Sequence, residues 1–490
     1  MPGRVAEEVR VSVNFSVVRL YLNGQWQAAA DGRTLPVINP ATGARAGEVA
    51  VAGPAELALA VTAAAEGFQR WKATPASQRE SVLREAAWLL RERAGQIAPC
   101  LTGEQGKPLA EARDELLASA RLIEWFAGEA TRIYGRLVPF REAGVQSLVL
   151  REPLGPVAAF TPWNFPVSQI VRKLAPALVA GCSVVIKGPE EAPSAAAALI
   201  QAFADAGVPD GVMGLLFGDP AEISRYLISH PLIRKVSFTG STEVGRQLAS
   251  LAGQHLKPLT LELGGHAPVI LAGDADLAVA LPQLAALKFR NAGQVCIAPT
   301  RFLVQRQRFQ EAIERFVGLA AALKVGNGLE AGVQMGPLAH ERRQLALTAL
   351  LDDARQQGGE LHLGGSPCAG PGYFFAPTVL SRLPVSARLM QEEPFGPVAL
   401  FLPFDEDDEA ITEANRLAYG LAAYAYSCSG SRLRAFREGI VSGLLALNQT
   451  SLAWPELPFG GIRDSGFGRE GGPEAIEEYL YSRTVSQAWA

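Results

Sequence analysis

The chain has 490 residues, 48% of them hydrophobic and 19% charged, which points to large buried cores and excludes a disordered chain. A formal charge of −4 offers no broad basic face to nucleic acid, and no run of about 18 apolar residues predicts a membrane span. The five cysteines (Cys100, Cys182, Cys296, Cys368, Cys428) form no CxxC pair or Cys/His cluster, so neither a metal site nor a disulfide framework is expected. No basic, apolar leader opens the chain, and the expectation is a cytoplasmic protein.

Residues 1–18 read as an N-terminal extension, either a strand or a disordered arm. Organised structure starts at "LYLNGQW", where Asn23-Gly24 predicts a hairpin turn. Between Pro54 and Phe126 the helical spacing of apolar residues predicts three helices, and a strand pair follows between about Leu137 and Arg151. From Gly155 the pattern changes. "GPVAAFTPW" reads as a buried strand and Pro166 to Ala180 as a helix. Then "SVVIKGPE", "GLLFG", "KVSFTGS" and "PLTLELGG" read as strands, separated by the helices "PSAAAALIQAFADAG", "PAEISRYLISH" and "STEVGRQLASLAG". Five apolar strands alternating with four helices predict a doubly wound parallel α/β sheet. Ligands in such sheets bind at the carboxyl ends of the strands, where Asn164, Lys187, Ser241 and Glu262 fall. A second α/β stretch runs from about Asp274 to Ala446. The tail "PFGGIRDSGFGREGG" reads as a crossing loop, and "EEYLYSRTVSQAWA" as an added edge strand.

Individual residues carry chemistry with alternatives open. Cys296 in "NAGQVCIAPT" is either a thiolate nucleophile or a small apolar residue in a turn. Asn164, held between two prolines in "TPWNFP", either donates its amide to a developing oxyanion or bonds its own turn. Glu262 in "LELGG" ends an apolar strand, and burial there makes either a general base or an ion-paired sheet end. Ser241 in "SFTGSTEVGR" either helps an N-terminal helix turn hold a phosphate or simply caps the helix. Lys187 and Glu190 either bond a ribose diol or pair with each other. Glu393 in "EEPFGPV" sits in a Gly/Pro turn.

The order and spacing of "TPWNFP", "FTGSTEVGR", "LELGG", "GQVC" and "EEPFGPV" are more specific than any one of them. From about Leu20 to the C-terminus the chain resembles the aldehyde dehydrogenase superfamily. The resemblance implies a Rossmann-like doubly wound NAD-binding domain (19–125 and 146–257), an α/β catalytic domain (258–445), a small β oligomerisation element (126–145 and 470–490) and an active-site crossing loop (446–469). It implies Cys296 as nucleophile, Asn164 with the Cys296 N–H as oxyanion donors, and Glu262 as the base that activates water. It implies cofactor contacts from Thr161, Trp163, Lys187, Glu190, Gly240, Ser241, Glu393 and Phe395. The Glu190 carboxylate repels a 2′-phosphate, which favours NAD, with NADP as the second option. One departure is Gly188, where the family pattern has proline. Assembly as a homodimer or homotetramer is implied, without a metal.

Arg172 and Arg290 match the arginines that grip the substrate carboxylate in succinate-semialdehyde dehydrogenases, a task suited to the guanidinium fork. Their charge is also expected to favour the Cys296 thiolate. The serine that gives a third contact in that pattern is replaced in "NQTSLAWPELPFGG" by Ala453 and Trp454, with Ser451 nearby. The expected substrate is a carboxylated semialdehyde, foremost succinate semialdehyde. The rivals are a broad aliphatic aldehyde dehydrogenase and one that releases the acyl group to coenzyme A.

Overall fold

The computed structural model describes residues 17–139 and 141–489, so residues 1–16 of the expected extension lie outside the described residues. Four sheets organise the described chain. The first is small: β1 (Val17–Val18), β4 (Thr34–Ile38) and β5 (Arg45–Ala50). Between β1 and β4 lies the expected hairpin, β2 (Leu20–Leu22) with β3 (Gln25–Gln27). Its turn residues Asn23 and Gly24 have φ of +48° and +80°, the double left-handed turn that suits the twist of paired strands.

The second sheet holds the α/β pattern read from Gly155 onward. Strands β8 (Val157–Phe160), β9 (Val184–Lys187), β10 (Met213–Leu216), β11 (Lys235–Thr239) and β12 (Leu259–Glu262) run parallel in the order β12-β11-β8-β9-β10. Helices α4 (Ser168–Ala180), α5 (Pro193–Asp205), α6 (Pro220–Ser229) and α7 (Thr242–Gln254) make the crossovers. Three earlier helices, α1 (Pro54–Lys72), α2 (Ala76–Gln105) and α3 (Leu109–Glu129), pack into the same core. Burial on both faces is why these strands read as unbroken apolar runs. After β10 the chain returns to the far side of β8 to form β11. That reversal opens a crevice between the carboxyl ends of β8 and β11. Helix α4 starts at Ser168 rather than at Pro166. The Glu115 carboxylate accepts the Val167 and Ser168 N–H groups (2.9 and 3.1 Å), which ties the chain down just before the first turn.

The third sheet contains β13 (Ala267–Leu271), β14 (Pro299–Gln305), β15 (Glu360–Leu363), β16 (Thr378–Ser381), β17 (Val398–Phe404), β18 (Ala422–Tyr426) and β19 (Leu444–Leu447). Helix α8 (Leu277–Phe289) crosses from β13 toward β14. The glycine-rich tail returns to the second sheet as β20 (Gly466–Phe467), antiparallel to β12. In the fourth sheet β6 (Arg136–Val138) and β7 (Val145–Pro153) form the expected pair. The terminal strand β21 (Leu480–Ala488) lies along β7 from Leu480 opposite Pro153 to Ala488 opposite Val145.

One buried carboxylate stands away from all motifs. Glu104, near the end of α2, accepts the Ser194 N–H (3.0 Å) and the Ser194 hydroxyl at the start of α5. Burial raises its pKa to about 7, against the two Ser194 bonds. A carboxyl whose folded pKa lies above its unfolded value stabilises most below the unfolded pKa and loses that contribution as pH rises through 7. The slope approaches about 1.4 kcal/mol per pH unit between the two values. Glu104→Gln does not ionise, so its melting temperature relative to the parent should climb as pH goes from 5 to 8. A constant difference across that range would show that folding does not raise the Glu104 pKa.

Candidate active site

The turn after α8 carries Cys296. Asn291, Ala292 and Gly293 take φ of +50°, +53° and +73° in succession, two of them costly for residues with a Cβ. Hydrogen bonds hold this turn. Gln105 donates to the Asn291 side-chain oxygen (2.9 Å), and Glu111 accepts the Asn291 N–H (2.8 Å). The Asn291 amide donates to the Asn164 carbonyl (2.9 Å), and the Gln294 amide to the Asn291 carbonyl (2.9 Å). A Cβ on Gly293 would sit 2.1 Å from the Gly396 carbonyl oxygen, so only glycine lets the two turns meet. Across the site a Cβ on Gly265 would meet the Cys296 carbonyl at 2.7 Å.

Asn164 follows β8 and is buried. Its amide donates to the Gln294 carbonyl (3.1 Å), which leaves the second amide hydrogen free to meet a ligand. The Asn164 backbone is pinned by Lys107, whose Nζ reaches the Asn164 carbonyl (2.8 Å) and the Glu115 carboxylate (2.5 Å).

Glu262 is the last residue of β12 and is buried, yet neither of its carboxylate oxygens has a partner. Burial, and then the nearby Glu470 charge, raise its pKa well above the usual carboxylate range, opposed by Lys173, Arg172 and Arg469. A buried carboxylate without hydrogen bonds is poorly stabilised as an anion and so is a strong proton acceptor. Lys173 of α4 pairs with Glu470 and donates to the Thr239 hydroxyl (2.6 Å). Neither Lys173 nor Glu470 stood out in the sequence. Lys173 follows Arg172 in an otherwise uncharged helix, and Glu470 lies in a glycine-rich loop; only burial separates them from surface charges.

The structure corrects one expectation about Cys296. Its thiol is not shifted toward the thiolate. Burial, then the charges of Glu393 and Glu262, push its pKa up to about 12, and Arg172 offsets only part of this. The two carboxylates and the low-dielectric floor outweigh the arginine. At neutral pH the resting Cys296 side chain is therefore the thiol rather than the thiolate.

A cleft with room for about 370 Å³ opens onto Cys296. Arg172 and Arg290 both line it. Arg172 lies over the Phe459 ring (4.5 Å) and donates to the Glu470 carbonyl (3.2 Å). Arg290 lies over Phe165 (5.1 Å). On the other side of Cys296 the crevice between β8 and β11 gathers the remaining sequence candidates. Thr161 is tied to the Lys187 carbonyl through its N–H (3.2 Å). Lys187 pairs with Glu190 (2.5 Å), which also accepts the Gly218 N–H (2.8 Å). Ser241 caps α7 through the Val244 N–H (3.4 Å), and Gly240 precedes it. Trp163 packs edge-on against Phe395 (5.6 Å), and the Glu393 carboxylate lies against Gly264, two residues beyond Glu262. Burial raises the Glu393 pKa to about 8.

The sequence model of the aldehyde dehydrogenase family matches residues 26–485. The chain belongs to the aldehyde dehydrogenase family. It is 46% identical over 469 residues to 4-(hydroxymethyl)benzenesulfonate dehydrogenase of Comamonas testosteroni, covering 96% of this chain and 98% of that one. It is 40% identical over 459 residues to the NADP(+) succinate-semialdehyde dehydrogenase of Escherichia coli K12, covering 94% and 95%. The crystal structure of succinate-semialdehyde dehydrogenase from Burkholderia pseudomallei superposes with a TM-score of 0.95 at 39% identity, covering 99% of this chain and 100% of that chain. The protein is thus an aldehyde dehydrogenase, an oxidoreductase that uses NAD or NADP. The residues of the crevice fit such a dinucleotide. The first turn of α7 offers unpaired N–H groups, and Thr161 and Gly240 directly follow β8 and β11 at the topological switch point.

Proposed function

We propose that this aldehyde dehydrogenase oxidises an aldehyde that carries an anionic group, with succinate semialdehyde as the simplest fitting substrate, to the corresponding acid. The observation that carries this reading is the pair Arg172 and Arg290 in the cleft that holds Cys296. The sulfonate and succinate relatives support an anion on the substrate.

In this reading Cys296 attacks the aldehyde carbon, forming the S–C bond as the carbonyl π pair moves onto oxygen and the thiol proton leaves to water in the cleft. The free Asn164 amide hydrogen and the Cys296 N–H hold the oxyanion. Bound NAD(P) supplies the hydride acceptor, and a thioester remains on Cys296. Glu262 then takes a proton from water, whose oxygen attacks the thioester and releases the acid and the thiol. Thr161, Trp163, Lys187, Glu190, Gly240, Ser241, Glu393 and Phe395 hold the cofactor. Glu190 beside Lys187 favours NAD over NADP, because a 2′-phosphate would face a carboxylate. Residues 19–125 and 146–257 form the cofactor unit and 258–445 the catalytic unit. Residues 126–145 and 470–490 are the assembly surface of a homodimer or homotetramer, with Leu137, Tyr481 and Trp489 exposed there.

The test compares kcat/KM for succinate semialdehyde and butanal, which lacks the carboxylate. The parent enzyme should prefer the acid by about a hundredfold, and Arg290→Gln should remove about tenfold or more of that preference, mainly through KM. Equal rates would overturn the anionic substrate and leave a broad aldehyde dehydrogenase.

A further inference from the structure

The cleft at Cys296 has a third arginine, which neither the motifs nor the proposed mechanism uses. On α3 the residues Glu115, Ala118, Ser119 and Leu122 face the cleft at helical spacing, with Arg121 on their flank. Glu115 marks the inner end, buried and bonded to Lys107 beneath Asn164. Arg121 marks the outer end and is exposed. Six residues of helix separate them, about 9 Å of rise.

Arg121 has no hydrogen bond or ion pair with any described residue. Its nearest acidic neighbour along the helix, Glu124, is already engaged by Arg91 (2.6 Å). Opposite, the loop from Thr450 to Pro455 brings the Trp454 ring to the rim, 56% exposed. The walls between are apolar and aromatic: Phe165, Phe459, Leu122 and Leu287. A four-carbon semialdehyde has three carbon–carbon bonds of about 1.5 Å between its aldehyde and carboxylate carbons. That is about half the length of α3 that lines the cleft between Glu115 and Arg121.

We infer that Arg121 is a specificity-determining residue that holds an anion at the outer end of this cleft, so that the enzyme takes aromatic aldehydes with a sulfonate or carboxylate across the ring from the formyl group. A para-substituted ring reaches farther than a four-carbon chain and does so without rotors to freeze. Its faces suit the aromatic walls and Trp454. Sulfonate and carboxylate both present oxygens to the guanidinium fork. The inference rests on the proposed reading that the aldehyde carbon meets Cys296 within an anion-selective cleft.

The experiment measures kcat/KM for 4-formylbenzenesulfonate, 4-formylbenzoate, benzaldehyde, succinate semialdehyde and butanal with the parent enzyme, Arg121→Gln and Arg121→Lys. Charged rings should exceed benzaldehyde by about tenfold or more. Arg121→Gln should lower the ratio of charged ring to benzaldehyde about tenfold through KM, and Arg121→Lys should restore part of it. Preference for only one of the two ring anions supports the site and identifies its ligand. Charged rings no better than benzaldehyde, or an Arg121→Gln loss equal for all five aldehydes, would overturn the inference. If the proposed function itself fails, the signature is different: succinate semialdehyde and butanal react equally in the parent enzyme.

Discussion

Cys296→Ala should lower kcat by on the order of 10⁴-fold or more with any aldehyde, while NAD(P) still binds. The side chain is half-buried at the base of the cleft, and its turn is fixed by Asn291 and Gln294 rather than by the thiol, so truncation leaves the turn in place. Cofactor binding by calorimetry separates loss of chemistry from loss of fold. Because the thiol pKa is raised to about 12, alkylation of Cys296 by iodoacetamide in the cofactor-free enzyme should be slow at pH 7 and accelerate with pH through 9. Retained turnover in the alanine variant would remove Cys296 from the mechanism.

Glu262→Gln should separate the two halves of the reaction. The amide fills the same volume at the end of β12 but accepts no proton from water. One equivalent of NAD(P)H per site should still form in a burst, followed by steady turnover reduced by about 10²- to 10⁴-fold. In the parent enzyme the same deacylation should quicken with rising pH. The Glu262 pKa lies above the ordinary range, and only its deprotonated form takes the proton from water. Rapid-quench and stopped-flow absorbance measure burst and steady rate together. Loss of the burst along with turnover would mean that Glu262 acts before the thioester forms.

Much of this site was legible in the sequence because its parts sit where backbone pattern and chemistry coincide. Asn164, Lys187, Ser241 and Glu262 each lie at or just after the end of a strand readable from its pattern, and the topology sets those strands side by side in one sheet. What escaped were groups whose meaning depends on burial across the chain. Lys173 and Glu470 are 297 residues apart, and their pairing beneath Glu262 leaves no local mark. Arg121 lies in a helix with many charges, and only the cleft distinguishes it from them. The shift of the Cys296 thiol was misread for a related reason. The arginines near it stand out in sequence, whereas the depth of the floor and the approach of Glu393 from between β16 and β17 do not.

The contact between Gly293 and Gly396 ties the turn of Cys296 to the turn of Glu393 and Phe395, main chain against main chain. In the proposed reading this contact mounts nucleophile and cofactor seat on one frame, and side chains on α3 and the 450–455 loop read the aldehyde's far end. Retuning the enzyme toward new aldehydes can then proceed by exchanging the reader while the frame that aligns the reacting atoms stays untouched. By the same logic, a single methyl group added at residue 293 would disturb every substrate alike.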